Sequence, residues 1–205
     1  MCFEMLDKLI HEIEQDLCKS VELRTHASAL PDNLPLPLQN LYKKCNGGDI
    51  IFGSLFNLDE LEETSRIEPF FPDWVVFGES GGVFWLCARK PSAGLWFTSW
   101  DHDSDSNIDG AVFSDLDTLL RDEYERRIGQ CTSGVYLKIN FVPPAAKLAT
   151  VSELKKFLTI GSMELARTLG KLPLEIAVPN GLIAKKVAEK LRAVDVITHI
   201  RIDFL

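Results

Sequence analysis

Apolar and polar positions alternate along this chain with two different periods. Leu6, Ile10, Ile13, Leu17 and Val21 recur at helical spacing, with acids and lysines between them, and predict an amphipathic first helix. Leu34-Pro35-Leu36-Pro37 breaks that helix off and introduces a second, near residues 38–44. Asn46-Gly47-Gly48 then reads as its C-cap, because Asn and Gly tolerate a left-handed backbone. Turn-bounded strands are predicted at residues 49–52, 74–77, 83–87 and 95–100, with Pro91-Ser92-Ala93-Gly94 as a hairpin turn between the last two. Ser114 reads as the N-cap of a closing helix over residues 115–127, which carries acids in its first turn.

The remainder alternates more regularly. Val135, Leu137, Ile139 and Phe141 mark a strand over 135–142, halted by Pro143-Pro144. Two short helices are predicted at 151–158 and 162–169, split at Thr159-Ile160-Gly161. A strand over 174–178 follows, then a long helix capped by Asn180 and ending near Val194, then a strand over 196–204. Helices, an antiparallel sheet and a helix, followed by a βααβαβ segment, together predict an α+β fold.

Charge divides the chain. Residues 1–131 hold 24 acids against 11 bases, and residues 132–205 hold 6 against 11, so a segment of net −13 precedes one of net +5. Gly129-Gln130-Cys131-Thr132-Ser133-Gly134 lies at the change and has the small, polar, Gly-bounded character of a linker. Two domains are therefore expected, 1–131 and 132–205, each folding on its own. Apolar residues make up 46% and charged residues 25%, enough for two modest cores. The first residues mix acids into an apolar run with no basic segment before it, which argues against a secretory signal. No apolar run approaches the ~20 residues of a membrane helix, so a cytoplasmic protein is expected. Cys2, Cys18, Cys45, Cys87 and Cys131 are scattered, odd in number and without a Cys-x-x-Cys pair, as reduced thiols would be.

Several landmarks in the first segment resemble the SUKH superfamily of Knr/Smi-type proteins. They are Leu34-Pro35-Leu36-Pro37 before a short helix, and Tyr42-Lys43-Lys44-Cys45-Asn46-Gly47-Gly48 as a helix running into an Asn-Gly-Gly turn. Phe56-Asn57-Leu58-Asp59-Glu60-Leu61 resembles the family's strand-to-helix step. Trp74-Val75-Val76-Phe77-Gly78 with Gly81-Gly82 resembles its central strand and glycine turn, and Ala111-Val112-Phe113-Ser114-Asp115-Leu116 the entry to its last helix. Glu79-Ser80 precedes the glycines where many members carry a polar Asp/Asn-Gly turn. The resemblance covers about residues 1–128. It implies an antiparallel sheet flanked by helices and a non-catalytic binding role. Bacterial members commonly act as immunity proteins that block a partner toxin, often a nuclease; eukaryotic ones act as regulatory adaptors. In residues 135–204, Ala149-Thr150-Val151, Leu154-Lys155, Ala166-Arg167, Leu169, Leu172-Pro173 and the run Ala184-Lys185-Lys186-Val187-Ala188-Glu189-Lys190-Leu191 resemble the C-terminal domain of the bacterial ribosomal stalk protein. Ile160-Gly161-Ser162 is followed by Met163-Glu164 where the stalk domain has a Gly-Leu-Gly turn and lysines, so this resemblance implies the fold without the factor-binding face.

Candidate chemistry is sparse. Residues 101–109 carry Asp101, Asp103, Asp105 and Asp109 around His102. A calcium loop needs Gly at its sixth position and Glu at its twelfth; Ser106 and Val112 stand there. A solvated loop and a partner-binding loop remain, with Trp100 beside it as an anchor. Trp96 and Trp100 share a strand face by parity; Trp74 and Trp85 lie on neighbouring strands, and core packing is the ordinary reading for most of the four. Lys185, Lys186, Lys190 and Arg192 lie on one amphipathic helix and suit solvent or an acidic surface better than nucleic acid, since no aromatic platform accompanies them. His11, His26, His102 and His199 pair with no cysteine at ligand spacing. No nucleophile elbow, P-loop or dinucleotide motif is present. The expectation is a binding protein with no catalytic residue, metal or cofactor, whose basic protein partner contacts Trp100, Asp101, Asp103, Asp105 and Asp109. Inhibition of a toxin and adaptation between two proteins are the two roles it suits.

Overall fold

The computed structural model describes residues 2–17, 19–25, 30, 34–65, 73–82, 84–90, 96–101 and 111–203. The expected hairpin turn at Pro91-Ser92-Ala93-Gly94 and most of the acidic run lie outside them. The architecture is α+β, with a seven-stranded antiparallel sheet flanked by helices and a three-stranded sheet after it. Two compact units are formed, Met1–His11 with Ser20–Tyr124, and Glu12–Lys19 with Glu125–Leu205. Among the described residues no helix is long and apolar enough to cross a membrane.

The first unit contains β1 (Glu22–Thr25), α2 (Leu36–Lys44), β2 (Cys45–Asp49), β3 (Gly53–Leu55), α3 (Leu58–Ser65), β4 (Trp74–Ser80), β5 (Phe84–Arg89), β6 (Phe97–Asp101) and β7 (Val112–Phe113). The strands pair in chain order. Helices α1 (Cys2–Leu17) and α4 (Leu116–Gln130) contribute residues to both units. One sheet face supplies the core: Phe77, Leu86, Ala88 and Phe97 are fully buried, and the Phe77 and Phe97 rings meet edge-on at 6.5 Å. Leu38, Leu41 and Tyr42 of α2 and Leu116, Leu119, Leu120 and Tyr124 of α4 add to it, with Tyr124 5.9 Å from Phe52.

Several local expectations are corrected. Asn46-Gly47-Gly48 does not cap α2; the helix ends at Lys44 and the three residues lie within β2. Asn46 Oδ1 accepts instead from the Leu58 amide at the start of α3. Gly47 and Gly48 have φ of +77° and +140°, and a Cβ on either would lie within 2.5 Å of a neighbouring carbonyl oxygen. Of the strand expected at 49–52, Asp49 closes β2 and residues 50–52 form a tight connection, where Ile50 N donates to the Gly53 carbonyl and Ile51 N to Asp49 Oδ1. Short polar side chains favour such turns. The cap of α4 is Asp115, which accepts from both the amide and the hydroxyl of Thr118, while Ser114 only donates to Asp115. Leu9, Ile13 and Leu17 form the buried stripe of α1, and Val21 lies beyond the helix.

The second unit holds β8 (Val135–Phe141), a 3-10 turn (Pro144–Ala146), α5 (Lys147–Leu154), α6 (Ser162–Thr168), β9 (Leu174–Ala177), α7 (Gly181–Arg192) and β10 (Ile197–Ile202). This is the expected βααβαβ order, with strand order β10-β8-β9. Pro143-Pro144 not only ends β8 but opens the next helix, which begins at Lys147 rather than 151; proline's fixed φ suits a helix start. Asn180 caps α7 through Ile183 N at 2.9 Å. Val135, Leu137 and Ile139 bury one face of β8 against α7, whose Ala184, Val187, Ala188 and Leu191 are buried.

Charged groups complete this unit. Arg192 reaches Asp16 at 2.5 Å and also donates to the Thr198 carbonyl at 3.1 Å; the Asp16 side chain is 1% exposed. Lys185, itself buried, bridges Glu12 at 2.6 Å and Glu125 at 3.1 Å. Gly181 lies against the Ile128 carbonyl, where a Cβ would come within 2.2 Å. Residues 12–19 thus belong to the second unit by burial and by charge.

Removing Asp16 strands a largely buried guanidinium, so Asp16→Ala should cost about 3 kcal/mol in urea-induced unfolding. Burial alone would push the Lys185 pKa down, but hydrogen bonds and charge from Glu12 and Glu125 outweigh it and hold it above 10.5. The stabilisation is therefore complete below the unfolded value and fades as pH rises through the higher folded one. The stability gap between wild type and Lys185→Met should stay constant from neutral pH, where both glutamates are charged, up to that unfolded value and shrink above it in pH-resolved denaturation.

Candidate functional site

The face of the seven-stranded sheet opposite the core has an unusual composition. Directly opposed residues on antiparallel strands point to the same side. The pairings Glu22 with Asp49, Asp49 with Ser54, Ser54 with Glu79, Glu79 with Trp85, and Trp85 with Trp100 join into one row across β1 to β6. Six strands at a spacing of ~4.8 Å give a row roughly 24 Å long. Glu22 and Asp49 are exposed; Ser54, Glu79, Trp85 and Trp100 are part-exposed. The row is acidic at one end and aromatic at the other. Ser54 Oγ lies 3.4 Å from Glu79 Oε1, and the Trp85 and Trp100 rings meet edge-on with centroids 5.4 Å apart.

A second row lies beside it. Trp74 opposes Arg89, and Arg89 N donates to the Trp96 carbonyl. The Arg89 guanidinium sits 4.8 Å from the centre of the Trp96 ring. Cys87 and Thr98 lie between the two rows on this face and are buried. Burial pushes the Cys87 thiol up to about 12, far from a reactive thiolate. All four tryptophans of the chain therefore occupy one face, away from the core, and Trp96 is 45% exposed. The core reading of most of them is corrected: strand parity turns Leu86, Ala88 and Phe97 inward and their Trp neighbours outward.

A β-bulge sets this arrangement. On β4, Val76 opposes Cys87, but Gly78 rather than Phe77 opposes Leu86, so one extra residue enters the strand. Without it, Glu79 would oppose Phe84 on the core side. With it, Phe77 stays buried and Glu79 turns outward opposite Trp85. Gly78 suits the position, since a Cβ there would come within 2.5 Å of the Ser54 carbonyl.

The expected site is only partly brought together. Trp100 lies in the row. Asp101 is on β6 but opposes Phe84, so its side chain belongs to the other parity. Asp103, Asp105 and Asp109 lie outside the described residues. Glu22, Asp49 and Glu79 were missed because they come from distant segments and meet only through strand pairing. A cleft of about 480 Å³ near Lys8, Leu9, Asp117, Thr118 and Arg121 is a separate feature of the same unit. Among the described residues no cluster of three or more His, Cys, Asp or Glu side chains is placed to hold a metal. No family model, curated protein or solved structure matches the chain.

Glu22 and Asp49 are like charges directly opposed, an arrangement that costs stability. Glu22→Gln should raise stability by about 0.5 kcal/mol at low salt, and the gain should vanish at high salt, where exposed charges are screened. Thermal melts across an ionic-strength series would test this.

Proposed function

We propose that this protein is a non-catalytic binding module that engages a basic protein partner through the acidic-aromatic row from Glu22 to Trp100. The row itself is the observation that carries the reading. Glu22 and Asp49 are set directly opposite each other, where like charges repel, and the part-exposed indoles lie on the face away from the core. Trp is frequent at binding hot spots, and carboxylates around an aromatic centre fit a cationic partner. The unit that presents the row holds 20 acids and 8 bases, a net charge of −12, which attracts a basic protein at long range. An enzyme that grips phosphates is basic, so inhibition of a toxin, a nuclease among the candidates, is the role we favour, in keeping with the SUKH-like landmarks. A cytoplasmic location fits the scattered cysteines. Of the acidic run expected at the contact, Asp101 has the opposite parity to Trp100, and Asp103, Asp105 and Asp109 enter this reading through their charge alone.

A regulatory adaptor is the second reading. It is favoured by the second unit's opposite sign, net +4 over residues 12–19 and 125–205, which suits a different, acidic partner.

Affinity capture with wild type and Trp100→Ala in parallel, followed by mass spectrometry, tests the proposal. A basic protein should be retained in near-stoichiometric yield by wild type. Trp100→Ala should weaken it by about 2 kcal/mol through faster dissociation, while Glu22→Gln with Asp49→Asn should slow association at low salt. Inhibition of the captured protein's own activity would separate the toxin reading from the adaptor. Retention of the same protein by wild type and all variants alike would remove the row from the contact surface.

A further inference from the structure

The two rows on the outer face each have an indole on or just before β6 and differ on β4 and β5. In the first, a guanidinium stands among indoles: Arg89 opposes Trp74 and lies 4.8 Å from the Trp96 ring centre. In the second, Trp85 and Trp100 meet edge-on, and the residue completing the row on β4 is the carboxylate of Glu79. The chain thus holds one arginine over an indole on this face, and places two further indoles and a carboxylate on the same face.

We propose that Trp85, Trp100 and Glu79 form a subsite for an arginine side chain of the partner, selective for guanidinium over ammonium. This rests on the binding role proposed above and adds the chemistry that the row recognises. Three features support arginine. A planar, weakly hydrated guanidinium stacks on an indole face, whereas a compact ammonium keeps its water. A carboxylate beside the ring accepts two of its five N–H donors in parallel. Finally, Glu79 is held at the aromatic end by the bulge that turns it outward and by Ser54 Oγ at 3.4 Å. The carboxylates of Asp49 and Glu22 farther along the row add attraction for any cation, and do not discriminate.

The test compares two synthetic octapeptides, alternating Gly/Arg and alternating Gly/Lys, titrated into the full chain by calorimetry and by tryptophan fluorescence. The arginine peptide should bind about tenfold tighter than the lysine peptide. Glu79→Gln should abolish most of that preference, Trp100→Phe should reduce it, and Glu22→Gln should weaken both peptides by the same factor. Glu79→Gln changes a part-exposed side chain without altering volume, so it reports even if a Trp100 variant misfolds. Equal affinities for the two peptides, with Glu79→Gln affecting both alike, would overturn the arginine subsite and leave the row as a general cation surface. Failure of both peptides to bind at low salt would overturn the subsite together with the binding reading beneath it.

Discussion

Strand pairing across β4, β5 and β6 is the constraint on which the rest of the first unit depends. Side chains alternate sides with a period of two, so a single register decides both what is buried and what is shown. Putting Leu86, Ala88 and Phe97 against the core puts Trp85, Cys87 and Trp100 on the other side without further choice. The bulge at Phe77 and Gly78 is the one irregularity that matters. It lets β4 keep Phe77 in the core and still present Glu79 beside Trp85. A slip of one residue would bury the carboxylate and expose the phenyl ring.

The second unit is held differently. Its sheet buries aliphatic side chains on one face, but the stretch Glu12–Lys19 is fastened to it by ion pairs as well as by Ile13 and Leu17. Ion pairs at such sites do not add much over well-packed apolar groups, yet losing one partner is expensive because the other stays buried. Lys185 and Arg192 therefore serve this unit internally. The solvated helix face expected of them holds better for Lys190, which is 59% exposed and only 3.5 Å from Glu153 at its tip.

The sequence is an uneven guide to these features, for physical reasons. The βααβαβ order and the Asn180 cap were legible because period and cap chemistry are local. Asn46-Gly47-Gly48 was misread because the same left-handed backbone serves a helix end and a crowded strand, and only the neighbouring strands show which. The shared face of Trp96 and Trp100 followed from parity, but parity cannot say which face is the core. The row was not legible at all. Glu22, Asp49 and Glu79 are far apart along the chain, and a bulge that displaces a strand by one residue leaves no compositional mark beyond a single glycine.

Nuclear magnetic resonance reports most directly on whether that row is one binding surface. Titration of the Gly/Arg octapeptide should shift the indole Nε1–H signals of Trp85 and Trp100 together with the backbone amides of Glu22, Asp49, Ser54 and Glu79, and leave residues 135–202 unmoved. Shifts confined to residues 135–202, or spread evenly over every acidic residue with both indoles unchanged, would contradict it.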